Sequence, residues 1–263
     1  MSGFRVAAAL GAALVVVGAV SAWAASGTAL GVKQDAEADK GGDVRVLTVG
    51  SDIFIGDNVT TGPKGQVQIK FSDTTELVVG PNSALLIEDY LLRDDQSAGK
   101  LAINALAGTF RFATGEADHD KYVIKTPTGT IGVRGTEFDF TVLNLLTKVI
   151  LYNGAVALCN VDDQCVSLTN TCDVGTIEPA QSTILGNMDD IFGKERNDLR
   201  ASFLYARSQM PLLGEFRFEE ALGCFNRGLR QGQPAPSLVE RQGAGDGDED
   251  VCHDYDYPYV CSP

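Results

Sequence analysis

Only two histidines occur in the 263 residues, and one of them, His119, sits among carboxylates. Glu116-Ala117-Asp118-His119-Asp120 offers an imidazole and several oxygen donors that could gather a divalent cation, but no ligand spacing repeats around it. A solvated loop is the expectation. Asp246, Asp248 and Asp250 copy the first ligand positions of a calcium loop. The glycine such a loop needs at its sixth position is Val251, and its twelfth position is Tyr257 rather than glutamate, so the match fails. The chain has no Gly-x-Ser-x-Gly nucleophile elbow and no His-Glu-x-x-His pair. Asp94-Asp95 reads as a turn, and the sequon Asn58-Val59-Thr60 is a triplet common by chance. The residues point to no reaction, no cofactor and no metal, so the chain is expected not to be an enzyme.

Six cysteines, Cys159, Cys165, Cys172, Cys224, Cys252 and Cys261, lie in the second half of the chain, and none forms Cys-x-x-Cys. An even count suits disulfides in an exported chain, and six cysteines allow about 15 pairings. Cys159 and Cys165 flank a polar turn between two β-type runs, which makes them the first candidate pair. Cys252 with Cys261 and Cys172 with Cys224 would complete the set. Export is also what the N-terminus suggests. Arg5, an apolar run from Val6 to Val20 and Ala22-Trp23-Ala24 read as a signal peptide cut after Ala24. An uncleaved anchor is the rival, weakened by a run rich in Ala and Gly. Without residues 1–24 the 21 basic residues lose Arg5 and the 35 acidic ones remain, giving −15. So acidic a surface disfavours nucleic acid and anionic lipid.

The segment Lys125-Thr126-Pro127-Thr128-Gly129-Thr130-Ile131-Gly132-Val133-Arg134-Gly135-Thr136-Glu137-Phe138 is the densest in special residues. Pro127 fixes φ and biases Thr126 toward extended backbone. Gly129, Gly132 and Gly135 permit corners and close backbone approach. Arg134 and Glu137, three apart, are expected to pair and hold the corner if both are buried. Phe138 and Phe140 should face the core, with Asp139 outward. Structural roles are therefore assigned to Thr126, Pro127, Gly132, Arg134, Gly135, Thr136, Glu137 and Phe138.

Around this segment, residues 43–185 alternate short β-type runs with turn residues every eight to twelve positions, the pattern of an all-β domain. In Gln66 to Phe71, Val67, Ile69 and Phe71 alternate with Gln66, Gln68 and Lys70, as in a half-buried strand. Small and charged residues over 25–42 read as a flexible leader. Residues 186–228 carry helical spacings: a start near Asn187 or Asp189, an apolar stripe at Leu199, Phe203, Leu204 and Ala206, and a run from Glu215 to Asn226. These helices should dock on the β domain. Residues 229–263 form an acidic tail with Cys252, Cys261, Tyr255, Tyr257 and Tyr259, mostly disordered by composition over 229–250.

The run from Thr126 to Phe138 resembles the signature of the FecR family of bacterial envelope proteins. Gly56-Asp57-Asn58-Val59-Thr60-Thr61-Gly62, Phe71-Ser72-Asp73-Thr74-Thr75, Gly80-Pro81-Asn82-Ser83, Leu106-Ala107-Gly108-Thr109-Phe110-Arg111-Phe112 and Gly154-Ala155-Val156 are similar to its other motifs, in order. The resemblance implies an extracytoplasmic all-β domain, β-solenoid-like or a twisted sandwich, here followed by a small α-helical, disulfide-bearing extension. Some members of that family sense an outer-membrane transporter and control a sigma factor through a cytoplasmic domain. Only Met1 to Arg5 precede the apolar run, so that domain is expected to be missing. The expectation is a non-catalytic, periplasmic or secreted protein-binding module, with an envelope protein as partner, no nucleic acid, and no stable membrane insertion after cleavage. The alternative is a structural protein that binds peptidoglycan or another polysaccharide.

Overall fold

The computed structural model describes residues 25–92, 98–115 and 122–226. The expected signal peptide, Asp94-Asp95, the segment around His119, the expected Cys252–Cys261 pair and the tail 229–263 lie outside the described residues. Strands dominate: β1 (Gly27–Lys33), β2 (Ala36–Lys40), β3 (Asp43–Val46), β4 (Asp52–Ile53), β5 (Asn58–Thr61), β6 (Gln66–Phe71), β7 (Glu76–Val79), β8 (Ala84–Leu92), β9 (Ala98–Ala113), β10 (Tyr122–Thr126), β11 (Gly129–Leu143), β12 (Leu146–Asn160), β13 (Cys165–Leu168), β14 (Asp173–Glu178) and β15 (Gln181–Asn187). Three helices follow, α1 (Gly193–Ser202), α2 (Leu204–Arg207) and α3 (Glu219–Asn226). Among the described residues, no helix is long and apolar enough to cross a membrane.

Hydrogen bonds join all the strands into one sheet that folds over on itself as a twisted sandwich. One layer runs β3-β2-β5-β8-β9-β10-β11-β12-β13, and the other β4-β1-β6-β7-β9-β11-β12-β14-β15. The long strands β9, β11 and β12 belong to both layers. They are not the short strands that the turn spacing suggested. Each bends between layers where its ladder changes partner. The first part of β9 pairs with β8 and β10, and the part from Gly108 to Ala113 with β11. The β11–β12 register shifts between Arg134 and Phe138, leaving Gly135 and Thr136 as a bulge. A single apolar core fills the space between the layers, with Val59, Ile87, Ile103, Ile131 and Leu158 from one meeting Ile69, Leu77, Phe112, Phe138 and Leu151 from the other. Phe110 stacks on Phe140 with ring centroids 4.8 Å apart. Phe138 and Phe140 face inward as expected.

A third layer covers the outer face of the second β layer. Ile150, Tyr152 and Val174 pack against Leu199, Phe203, Ala206, Phe218, Ala221 and Phe225. A smaller cluster joins Val78 to Tyr205, Leu212 and Phe216. Cys172–Cys224 links the start of β14 to α3, and Cys159–Cys165 bridges β12 and β13. Both pairings agree with the expected ones.

Four expectations need correction. Residues 25–42 are not a flexible leader: β1 and β2 occupy most of them, because Ala29, Ala36 and Ala38 fall at inward positions of a period-2 pattern and are buried. Small side chains concealed an ordinary strand alternation. The strand Gln66–Phe71 is not half-buried, since the third layer also covers Gln66 and Gln68. No helix starts at Asn187 or Asp189; β15 runs to Asn187, α1 begins at Gly193, and Phe192 is exposed. Asp173–Glu178, not read as a strand, is β14 and pairs with both β12 and β15.

The tight hairpin between β10 and β11 places Thr126 opposite Gly129, which has φ +153°. A Cβ on Gly129 would overlap the Cys159 carbonyl oxygen, whereas one on Gly132 would meet Ala157 Cβ at an ordinary 3.7 Å. Gly129→Ala is therefore expected to cost roughly 3 kcal/mol in urea unfolding, and Gly132→Ala to stay within about 1 kcal/mol of wild type. Equal losses at the two positions would contradict this assignment.

Candidate functional site

The signature residues divide into a hairpin and a bend. Thr126 Oγ1 and Thr128 Oγ1 lie 3.1 Å apart across the turn at Pro127, and buried Thr147 adds hydroxyl contacts of 2.8 Å to Thr128 and 3.2 Å to Thr126. Thr136, in the bulge, takes a 2.8 Å bond from its N–H to Thr114 Oγ1. The chain turns at Gly135, which has φ +62° and packs against Gly154 so closely that a side chain on Gly154 would overlap the Gly135 carbonyl. These residues do architectural work.

Arg134 and Glu137 do not form the expected ion pair. Among the described residues no salt bridge joins them; Arg134 is exposed and Glu137 half-buried. The bulge between them is the physical reason. Arg134 belongs to the first layer and points away from the sandwich on that side, while Glu137 belongs to the second and faces the helices. The Glu137 carboxyl titrates above 4.5, because burial disfavours its charge and Glu220 on α3 repels it, with Arg111 opposing both.

The buried ion pair lies two residues further along β11. Arg111 and Asp139 sit opposite each other in the β9–β11 ladder and are both almost wholly buried. Arg111 Nε reaches Asp139 Oδ1 at 2.7 Å, and Nη2 reaches Oδ2 at 2.9 Å, a bidentate fork. Tyr152 OH donates to Asp139 Oδ2 at 2.8 Å. The other side of the guanidinium belongs to the third layer: Nη1 donates to Gln209 Oε1 and, at 3.2 Å, to the Phe216 carbonyl. Gln209 in turn accepts from Phe218 N–H and donates to the Phe218 carbonyl. The guanidinium carbon lies 4.4 Å from the centre of the Phe218 ring and 5.6 Å from those of Tyr152 and Tyr205. Burial works against the Arg111 charge, but Asp139 and Tyr152 outweigh it and raise the guanidinium pKa. Burial, reinforced by Asp139, also raises the pKa of Tyr152 well above that of an ordinary phenol. Asp139 points outward from the β core as expected, yet it is not solvated, because the helical layer closes over it.

Other charged groups are also committed to structure. Asp57, fully buried, takes both oxygens to Arg45 Nη2 at 2.6 Å and accepts from Phe54 N–H at 2.8 Å. Asp73 accepts from Thr75 Oγ1 at 2.7 Å and from Tyr122 OH at 2.8 Å. Lys70 reaches Glu215 at 2.6 Å, fastening the helical extension to β6. Among the described residues, no group of three or more His, Cys, Asp or Glu side chains is placed to hold a metal. A shallow groove of about 520 Å3 lies at the end of the sandwich, between Asn82, Gly108, Leu143 and Ser202.

Three of the FecR-like motifs, at residues 106–112, 126–138 and 154–156, reach the strands shared by both layers, and the others lie on β5, at the end of β6 and in the turn before β8. Residues 57–157 match the FecR protein family. The match begins at the buried Asp57 and ends in β12, so the FecR segment includes Arg111, Asp139 and the whole β10–β11 signature. The flanking strands β1 to β4 and β13 to β15, and the helices, fall outside it. No curated protein matches the chain. Among solved structures, two crystal structures of a candidate anti-sigma factor from Parabacteroides distasonis are similar, with TM-scores of 0.41 and 0.40 and 12% identity in each case. The likeness covers 49% of this chain and 59% of theirs, so this chain spans under two thirds of those proteins.

Two outcomes follow from this geometry. Arg111→Met strands Asp139 in the interior and is expected to cost about 3–5 kcal/mol in urea unfolding; adding Asp139→Leu should restore much of that loss. A single variant as stable as wild type would show that the pair is not buried. The second concerns pH. Because the folded state prefers neutral Glu137, its contribution to stability is present below the unfolded value of 4.5 and is lost as pH rises through the raised one. Glu137→Gln should therefore stabilise the protein at pH 7 and change little at pH 4, and unfolding curves at the two pH values read this directly.

Proposed function

We propose that this chain is a non-catalytic, exported protein-binding module that takes part in signal relay in the bacterial envelope. The observation that carries the proposal is the FecR match over residues 57–157, which spans the strands common to both β layers. The chemistry of the interior supports it. Arg111, Asp139, Tyr152, Asp57 and Asp73 are engaged with one another or with backbone, so they serve to fix shape and leave recognition to the surface. Two disulfides suit an oxidising compartment, which favours the periplasm or the cell exterior. A net charge of −14 disfavours nucleic acid as a partner.

Crosslinking in intact envelopes followed by affinity capture is expected to recover a transporter or sensor protein. Retention of the purified chain on peptidoglycan, with no protein captured, would overturn the proposal in favour of a structural, polysaccharide-binding role.

A further inference from the structure

Among the described residues, the first β layer ends on β3, which pairs with β2 alone, through the two-residue turn Gly41-Gly42. Its hydrogen-bond phase is fixed at both ends. Lys40 and Asp43 flank the turn, and beyond the strand Leu47 N–H donates to the Ala36 carbonyl at 2.8 Å. Residues 43, 45 and 47 therefore direct their backbone groups to β2. By antiparallel alternation, Val44 and Val46 direct theirs away from the sheet. Among the described residues, nothing covers them. Their side chains are 57% and 71% exposed, and nearby Val49 is 68% exposed. An edge with two free backbone donor–acceptor pairs and bare valines is a template for another strand.

We propose that the β3 edge binds an extended, lysine- or arginine-bearing segment of a partner protein by strand addition. This deepens the protein-binding proposal above and rests on it. Charge selects the occupant. Glu37, Asp39, Asp43 and Asp52 surround the edge, and all are at least partly exposed. Of the cations there, Arg45 is paired with Asp57 and Lys40 lies over the Phe54 ring, so the two are outnumbered by the four rim carboxylates. A second copy of the chain would bring the same acidic rim and a net charge of −14 to the contact. A basic strand would hydrogen-bond to Val44 and Val46 while its cations met the carboxylates.

Val46→Pro tests this in the full chain. Val46 N–H makes no bond to β2, so proline removes no native ladder bond but blocks the outward donor. The probe is a fluorescently labelled ten-residue peptide of alternating valine and lysine, read by anisotropy, with a valine–glutamate peptide as control. The wild type is expected to bind the lysine peptide at least tenfold more tightly than the glutamate peptide. V46P should lose at least tenfold in affinity with an unchanged melting temperature. Equal binding by V46P, equal binding of the two peptides, or no binding by the wild type overturns the proposal. So does self-association of the wild type that V46P abolishes, because the occupant is then a second copy. Envelope capture separates the two levels: a partner retained equally by V46P sinks the edge and leaves the protein-binding proposal standing. Edge-dependent peptide binding with no protein captured does the reverse.

Discussion

The arrangement of the three layers depends on one interaction, the bidentate contact between Arg111 and Asp139. Removing two charges from water costs several kcal/mol per ion, and their attraction offsets that only if the remaining donors and lone pairs are satisfied. The β sandwich alone satisfies part of them, through Tyr152. The guanidinium still has Nη1 to place, and its partners are Gln209 and the Phe216 carbonyl, about a hundred residues further along the chain. A sheet carrying this pair on its outer face therefore needs the C-terminal helices over it. The helices also meet the sheet through apolar clusters, and the pair adds a polar anchor between them.

The same contact specifies register more than it adds stability. Phe110-Arg111-Phe112 on β9 lies against Phe138-Asp139-Phe140 on β11, in opposite directions. A slip of one residue would drive the arginine into the aromatic core and carry two phenylalanines to the opposite face. A slip of two would part the charges. The mirrored triplets were visible in the chain as two Phe-x-Phe motifs of opposite charge. They were the signal for the buried pair that the Arg134/Glu137 expectation missed. Glu137 and Arg134 drew attention because they are close in sequence, yet the bulge at Gly135 and Thr136 assigns them to different layers.

Much of the fold was legible where local alternation matched burial. Val67, Ile69 and Phe71 face the core, both expected disulfides within the described residues form, and the helices dock on the sheet through Leu199, Phe203 and Ala206. Leu204 of the expected stripe is exposed, however, and the expected helices break at Phe203 and before Glu219. What the chain concealed was non-local. Nothing near Gln66, Gln68 or Asp139 announces a third layer, since the groups that cover them lie 70 to 145 residues away. β14 was hidden by its composition. Asp173 and Gly175 suggest a turn, but Asp173 binds Thr169 and Asn170 at the strand's entry, and Gly175 lets Leu158, Leu168 and the Thr183 backbone close in. The β1 and β2 segments were hidden by alanine, whose small inward side chains read as linker.

The attachments of the helical layer are spread out, and this decides what kind of device the protein can be. Cys172–Cys224 fastens α3 to the start of β14, the Arg111 cage holds the centre, and Lys70–Glu215 with the Gln68 bond to Leu213 N–H holds the β6 side. Closing a loop of 52 residues is worth about 4 kcal/mol to the disulfide in the chain-entropy account. The central cage resists parting because either charge left alone would be stranded. A plate pinned at three separated points has no axis about which to hinge. On the proposed binding role, such a body would present a fixed surface, and among the described residues the first layer leaves the β3 edge unpaired and Arg134 exposed.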